Sequence, residues 1–471
     1  PDNQAHRLTF TGAIDLPFGS RYVGTYSHNR MTQNSPFIPF TINTGLGDCD
    51  AGFNMSDVRC LPARSLNGEI IQTLFNNVLT TRFDEDLTST LRFRHLSLDN
   101  NTPRLIFEEW VRWDGERTGD ERGNATPAYD KTNASADLNW TFMKGWKIGG
   151  SLAWEHFDRT HADVKETDEY SQKAFINVKP EDLAWLTVRA SYLHADRDFD
   201  RYDALGNVGV IGHPDDGGNY PASEDMRKYD LAKRGRNKAD IFAEFAFESG
   251  WVITPTASWR QDEFSDRIFT GGELGLKREN YWSAGVEQTY PVTDEIMLTV
   301  AYMRENFDRR MVGGEESGDS DAWGSRITDV VDTVETLMTI ALSDKILPGD
   351  LNVDIGFVYG RTNNKTATYA VDGGNDPDDQ YPDVTNDFQR FDTTLKYTVD
   401  PDLVTSIGWE GEALLKLRFG YERNQMTNWQ TDIMAPYMND VNDDAEESLF
   451  LAGIDPNYEA SLVTLELGLT W

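Results

Sequence analysis

Two runs of oxygen-bearing side chains are the parts of this sequence best suited to bind a metal ion. Ca²⁺ takes about six to eight oxygen ligands, and the first run predicts a calcium site at Asp376, Asp378, Asp379 and Asp383. The second run is Asn439-Asp440-Val441-Asn442-Asp443-Asp444. Neither run has EF-hand spacing, so solvated acidic loops that repel one another are the alternative interpretation.

The two cysteines, Cys49 and Cys60, lie in the segment GLGDCDAGFNMSDVRC. A disulfide that closes this short loop fits an oxidising compartment, and two free thiols are the alternative. The chain has no Cys-x-x-Cys that would support a zinc site.

The sequence contains no motif that supports redox or hydrolytic chemistry. The sequence has no Cys-x-x-Cys-His, so it cannot attach c-type haem by the usual thioethers, and no covalently bound cofactor is expected. It also has no His-Glu-x-x-His, no Gly-rich phosphate loop and no nucleophile with a convincing base. We therefore predict that the chain is not an enzyme. The histidines occur singly, at His6, His28, His95, His156, His161, His194 and His213.

The charge balance limits the possible partners. The chain has 44 Lys and Arg against 79 Asp and Glu, a formal net charge of -35. Nucleic-acid binding relies on clustered basic residues, so nucleic acid is an improbable partner. A neutral, basic or metallic partner is expected. The chain begins at Pro1 without a signal peptide, so either the peptide has been removed or the protein is cytosolic.

Apolar and polar residues alternate with a period of two along most of the chain. The clearest example is Leu351, Val353, Ile355, Phe357 and Tyr359, with Asn352, Asp354 and Gly356 between them. This alternation predicts about 17 strands, each with one apolar face. We place Leu105–Trp113 in a hairpin within a loop. The chain ends on a further alternating segment, Val463–Trp471.

The connections decide between a soluble β-sandwich and a membrane barrel. Tight turns such as Met143-Lys144-Gly145 alternate with long polar loops such as 196–235 and 423–459. This alternation is typical of outer-membrane barrels, where turns are periplasmic and loops extracellular. Aromatics near the loop ends fit interfacial girdles; they are Tyr192, Trp259, Tyr302, Tyr359, Tyr397 and Tyr421.

The predicted fold is therefore all-β: a single domain over residues 1–471, forming a large antiparallel transmembrane β-barrel in the lipid bilayer of a bacterial outer membrane. The mean hydropathy of -0.56 is compatible with this, because only alternate residues face lipid. The first and last predicted strands both run toward the periplasm, a parity on which an antiparallel barrel cannot close. We therefore expect at least one further strand before Pro1, or a misassigned end, and a periplasmic C-terminus.

The polar set on the strands is expected to face the barrel lumen. Its basic members are candidate contacts for a lumenal partner, and they are Arg92, Arg94, Arg189, Lys416 and Arg418. A protein plug and an aqueous pore lined with mixed charge both require such residues. From these residues alone, both interpretations stay open.

Several motifs resemble one family of outer-membrane barrels. The most telling is Tyr26-Ser27-His28-Asn29-Arg30-Met31-Thr32-Gln33, followed by Phe37-Ile38-Pro39-Phe40-Thr41. Others are Leu61-Pro62-Ala63-Arg64, Asp99-Asn100-Asn101-Thr102-Pro103 and Arg227-Lys228-Tyr229-Asp230-Leu231. In this order and spacing, they resemble the MtrB/PioB family, the decahaem-associated barrels of extracellular electron-transfer conduits. The resemblance covers nearly the whole chain.

The resemblance implies a wide barrel that sheathes a periplasmic multihaem c-type cytochrome, so that electrons cross the outer membrane along haems that the partner carries. It leaves open whether an extracellular cytochrome caps the loops. A Cys-x-x-Cys near the start of some members is absent here, and its function is not transferred to Cys49 and Cys60. The alternative function is an open general or substrate-selective porin. An outer-membrane enzyme would need a catalytic site that these residues do not supply.

Overall fold

In its described residues, a computed structural model of the chain contains one large sheet of eighteen strands and two small sheets of two strands each. The structure describes residues 3–112, 116–118, 122–160, 162–202, 226–264, 274–313, 323–344, 346–370, 382–406, 408, 411–427 and 457–470. Among these residues, no helix is long and apolar enough to cross a bilayer.

The strands follow the chain in order. They are β1 (Asn3–Leu16), β2 (Ser20–Gln33), β3 (Gly68–Arg82), β4 (Leu87–Asn100), β5 (Ile106–Phe107), β6 (Trp110–Arg112), β7 (Glu116–Thr118), β8 (Arg122–Gly123), β9 (Tyr129–Met143), β10 (Trp146–Arg159), β11 (Glu166–Val178), β12 (Leu186–Phe199), β13 (Met226–Arg227), β14 (Arg234–Ala246), β15 (Val252–Glu263), β16 (Leu274–Pro291), β17 (Ile296–Gly313), β18 (Trp323–Ser343), β19 (Gly349–Ala370), β20 (Val384–Val399), β21 (Glu412–Thr427) and β22 (Tyr458–Thr470). Short helical turns are Thr44–Leu46, Val58–Cys60, Glu181–Leu183 and Pro401–Ser406.

Each long strand pairs antiparallel with the next long strand along the chain. The all-β prediction is confirmed, and every predicted strand lies on one of these elements. The predicted loop hairpin around Leu105–Trp113 is also present, because β5 pairs with β8 and β6 pairs with β7. Among the described strands, only β13 pairs in parallel, with the start of β16.

The first and last strands, β1 and β22, form the two edges of the sheet. Successive antiparallel steps give them the same direction, as the loop order predicts. No backbone pairing joins Asn3–Leu16 to Tyr458–Thr470 in the described structure. Antiparallel pairing between these two edges is excluded by their direction.

Tight connections lie at one end of the sheet, which we call the turn end, and long connections at the other, the loop end. At the turn between β9 and β10, Gly145 adopts φ +79°. A Cβ atom there would lie 2.1 Å from the carbonyl oxygen of Lys179. Glycine is therefore required by both the backbone conformation and the close approach of the next turn.

The register separates the residues into a polar face and an apolar face. Directly opposed residues on paired strands share a face, so the two faces can be followed from strand to strand. Leu91, Ile241 and Leu465 lie on the apolar face and are 47%, 56% and 71% exposed. In water such a face would be a large unfavourable surface, whereas lipid contact stabilises it.

The apolar face carries a repeat near the loop end. On each strand that ascends from a turn to a loop, an aromatic is followed two residues later by His, Gln or Arg. The pairs are Tyr26 and His28, Phe93 and His95, Trp154 and His156, Tyr192 and His194, Trp259 and Gln261, Tyr302 and Arg304, Tyr359 and Arg361, and Tyr421 and Arg423. Amphipathic aromatics below a polar row are typical of a membrane interface.

The sequence predicts Tyr397 to lie in the girdle near the loop end, and this prediction is wrong. Tyr397 lies on β20, which descends, so the residue is at the turn end, and its hydroxyl donates a 2.7 Å hydrogen bond to the carbonyl oxygen of Pro348.

The described parts of two long loops, 34–67 and 101–128, pack together at the loop end, and we call them the loop pair. The ring of Phe107 lies 6.3 Å from Phe37 and 6.1 Å from Phe40, measured between centroids. Arg117 crosses between the loops and donates a 2.7 Å hydrogen bond to the carbonyl oxygen of Asp48. Cys49 and Cys60 form a disulfide with Cα atoms 5.9 Å apart. The loop pair is a folded unit rather than a loose connection.

We expect the Cys49→Ser/Cys60→Ser double variant to loosen this loop by about 2–3 kcal/mol, because the disulfide restricts the unfolded loop. Limited proteolysis should cut segment 34–67 faster in the variant than in the wild type. Heat-modifiable gel mobility, which reports the barrel, should be unchanged, since the disulfide lies outside the large sheet. Equal cleavage of the two proteins would contradict the prediction.

The turn at Val58–Cys60 should also respond to acid. Asp57 accepts a 2.9 Å hydrogen bond from the backbone N–H of Arg59, and the Arg59 guanidinium holds the pKa of Asp57 down at about 2. Because this pKa is below the ordinary value of 3.8, the stabilisation is present above about pH 4 and is lost as the pH falls toward 2. Hydrogen exchange at residues 58–61, corrected for the intrinsic rate, should accelerate over that range. Asp57→Asn should abolish this pH dependence.

Candidate functional site

The five basic residues predicted to face the lumen lie on one face of the sheet. Register pairs place Arg92 opposite Ser135, Arg189 opposite Asn177, and Arg418 opposite Thr394. Arg94 and Lys416 occupy the same face two residues away from Arg92 and Arg418. All five therefore belong to the polar face, although they lie on three separate strands.

Their local partners differ. Arg92 pairs with Asp137, and Arg418 lies 3.2 Å from Asp392. Lys416 Nζ lies 3.9 Å from a carboxylate oxygen of Glu466. Arg94 and Arg189 form no ion pair with any residue in the described ranges. The Arg189 guanidinium instead lies over the ring of Phe242, 5.3 Å from its centroid.

A continuous network of charges crosses the polar face near the loop end, and the sequence analysis did not identify it. Each member contacts the next one across neighbouring strands. This ion-pair belt consists of Arg236, Asp262, Arg260, Glu279, Arg309 and Asp329. Single strands carry one or two of these charges each, so only the register reveals the alternation of sign.

Asp262 is the most buried member of the ion-pair belt. It is 2% exposed, and Arg236 grips it through two hydrogen bonds of 2.6 and 2.8 Å. Arg260 approaches the same carboxylate at 3.3 Å. A fork of two parallel hydrogen bonds is the strongest geometry for this kind of pair. The belt therefore ties β14, β15 and β16 together by side chains as well as by backbone.

Segment 226–233 folds back over the polar face at the loop end. Arg197 of β12 donates to the carbonyl oxygens of Ala232 and Tyr229, at 2.9 and 2.7 Å. Lys228 Nζ lies 2.8 Å from a carboxylate oxygen of Asp163, a residue that is 5% exposed. Burial raises the pKa of Tyr202, whose hydroxyl accepts a hydrogen bond from the Lys228 backbone, to about 12. The segment thus covers part of the polar face at this end.

The strand histidines lie on the other face. His28, His95, His156 and His194 all belong to the apolar-face row above the aromatics. His156 contacts Asp168 at 3.1 Å, and His194 contacts Asn237 at 2.9 Å. These rings point away from the polar face, so they are not placed to ligate a group bound there.

The predicted calcium site lies almost wholly outside the described residues, which include Asp383 but not Asp376, Asp378 or Asp379. The carboxylate of Asp383 lies 2.9 Å from Lys365 Nζ. A bound cation would have to displace this ammonium group or share the carboxylate with it. No group of metal-binding residues is found in the described part of the chain. Calcium binding stays a prediction.

Asp262→Asn should destabilise the protein by about 3 kcal/mol, because it leaves Arg236 and Arg260 charged beside a neutral group in a buried site. The matched control is Asp240→Asn, since Asp240 is partly exposed and pairs with Lys238 at 3.1 Å. We expect the control to cost less than about 1 kcal/mol. Urea unfolding of both variants in lipid vesicles measures the difference, and equal losses would argue against the belt as a stabilising network.

Comparison with known proteins identifies the family. A family model described as "Putative outer membrane beta-barrel porin, MtrB/PioB" matches residues 1–471. Among solved structures, the chain is similar to the ferric enterobactin receptor PfeA of Pseudomonas aeruginosa in complex with enterobactin, with 10% identity over 89% of this chain and 65% of that chain and a TM-score of 0.47.

It is also similar to the alcaligin receptor FauA of Bordetella pertussis (9% identity, 90% of this chain, 73% of that chain, TM-score 0.33). A third similar structure is the siderophore receptor PiuA of Acinetobacter baumannii (7% identity, 89% and 75%, TM-score 0.35). No curated protein matches the chain. On the match of the family model over its whole length, the chain belongs to the MtrB/PioB family of outer-membrane β-barrel porins.

Proposed function

We propose that this barrel encloses a periplasmic multihaem c-type cytochrome and so allows electrons to cross the outer membrane. Membership of the MtrB/PioB family is the observation that carries the proposal. In a membrane barrel the apolar face contacts lipid, so the polar face lines the lumen. The partner would carry every haem, since the chain has no Cys-x-x-Cys-His.

The lumen supports enclosure of a protein rather than bond chemistry. Arg94 and Arg189 form no ion pair with any described residue, and Arg92, Lys416 and Arg418 add further basic groups to the same face. Such side chains can pair with carboxylates on a lumenal protein. Their role is to hold the partner in place and to exclude bulk solvent around it. We assign no catalytic step to this chain.

The proposed orientation has the turn end in the periplasm and the loop end outside the cell. The last strand, β22, descends, so its C-terminal end is periplasmic in this orientation. Ordinary outer-membrane barrels place long loops outside. The loop pair then forms a folded surface on the extracellular side, where an extracellular cytochrome could cap the barrel. Asp383, which directly precedes β20, would be on the same side, and calcium at the predicted site would come from outside the cell.

The rival function is an open porin, and a purification experiment separates the two. Under the proposal, the barrel extracted in mild detergent carries a co-purifying protein that stains for haem on a gel. Reconstituted with that protein in planar bilayers, it should conduct ions far less than after the partner is stripped with high salt. A barrel that carries no haem-staining protein and conducts freely as isolated would be a porin.

A further inference from the structure

Charge is unevenly distributed around the polar face below the ion-pair belt. On β4 and β9–β12, the acidic residues of this face are Asp137, Glu155 and Glu169, and each has a basic partner. Several basic residues of the same strands have no ion pair with any residue that the structure describes. This basic arc consists of Arg94, Lys147, Lys173 and Arg189.

The opposite imbalance occurs on β16–β19. Between the belt and the turns, the described polar face of these strands has no lysine or arginine. It carries an acidic arc that consists of Glu287, Glu305, Glu335 and Asp354. Glu305 accepts a 2.7 Å hydrogen bond from Tyr281, and Asp354 accepts one of 3.0 Å from Thr339, but neither has a basic partner among the described residues.

Register places members of each arc close together. Lys147 and Arg189 both lie opposite Asn177 on β11, one from each side. Glu287 and Glu335 both lie opposite Ala301 on β17, one from each side. Two carboxylates across a single small residue reinforce one another in the field that they produce. The arcs are therefore local concentrations of charge rather than scattered residues.

The two arcs are separated along the sheet by β14 and β15. In a barrel they occupy different parts of the circumference, so the lumen has a basic side and an acidic side. Burying these charges against a protein is costly unless the protein presents opposite charges. A lumen with like charge throughout would accept a complementary partner in any rotation about the barrel axis. A lumen with a basic side and an acidic side would accept its partner only in the rotation that matches opposite charges.

We propose that the two arcs fix the rotation of the enclosed protein about the barrel axis, and that this protein presents an acidic surface to the basic arc and a basic surface to the acidic arc. This inference rests on the proposed enclosure of a protein and adds the charge pattern of its surface. A rotated partner would place like charges together. The ion-pair belt is internally neutralised, so it takes no part in this selection.

Photocrosslinking tests the pattern without altering any charge. A benzophenone amino acid replaces Ser151 beside Lys173 in one protein, and replaces Thr333, two residues from Glu335, in another. Crosslinked partner peptides should be rich in Asp and Glu from Ser151, and rich in Lys and Arg from Thr333. Identical peptides from both positions, or the opposite composition, would overturn the proposal.

Charge reversal tests the energetics. Arg94→Glu/Lys173→Glu/Arg189→Glu reverses the basic arc, and Glu287→Lys/Glu335→Lys/Asp354→Lys reverses the acidic arc. At physiological salt, each triple variant should retain about one tenth or less of the partner that the wild type retains. Reversing both arcs together should recover part of this loss, with the crosslinks from Ser151 and Thr333 exchanged. Loss that is not recovered, or retention in all variants, contradicts the proposal.

The control variant changes charges on the same polar face but leaves the net charge unchanged. Lys131→Glu/Glu155→Lys exchanges an ion pair of 2.8 Å on the same polar face, and it should retain the partner as the wild type does. Heat-modifiable mobility verifies that every variant folds. If the wild type carries no protein, the proposed function fails along with this inference. If it carries a protein whose retention does not change when either arc is reversed, only the inference fails.

Discussion

Every backbone N–H and C=O group inside a bilayer must find a partner within the protein, because lipid offers none. In this chain the long antiparallel ladder from β1 to β22 meets that requirement over all its internal strands. The ladder also fixes the side chains, since residues opposite one another must share a face. One hydrogen-bonding constraint thus determines which residues meet lipid and which line the lumen.

The two faces of the sheet differ in how evenly their side chains are distributed. The apolar face is nearly uniform, with aromatics and a polar row near the loop end, because lipid and headgroups are the same around the whole circumference. The polar face is not uniform. Near the loops its charges neutralise one another in the ion-pair belt, whereas below the belt the basic and acidic arcs are kept apart. A surface that only needed water would not require that separation.

Two folded segments lie at the loop end, the loop pair and segment 226–233. The disulfide of Cys49 and Cys60 and the contacts of Phe107 organise the loop pair. Segment 226–233 is held over the polar face by Arg197. Segment 226–233 therefore covers part of the polar face, and the loop pair adds a second folded feature at the same end of the sheet.

The sequence alone determined the strands, the two faces and the alternation of turns with loops, because a period of two and turn residues are local properties of the chain. It also placed Arg92, Arg94, Arg189, Lys416 and Arg418 on the inward set. It misplaced Tyr397, since strand direction had to be known first. The tertiary structure decided which charges on different strands meet. Asp262 and Arg236 are 26 residues apart, and the arcs join strands far more distant, so only the cross-strand register could bring out the ion-pair belt and the two sides of the lumen.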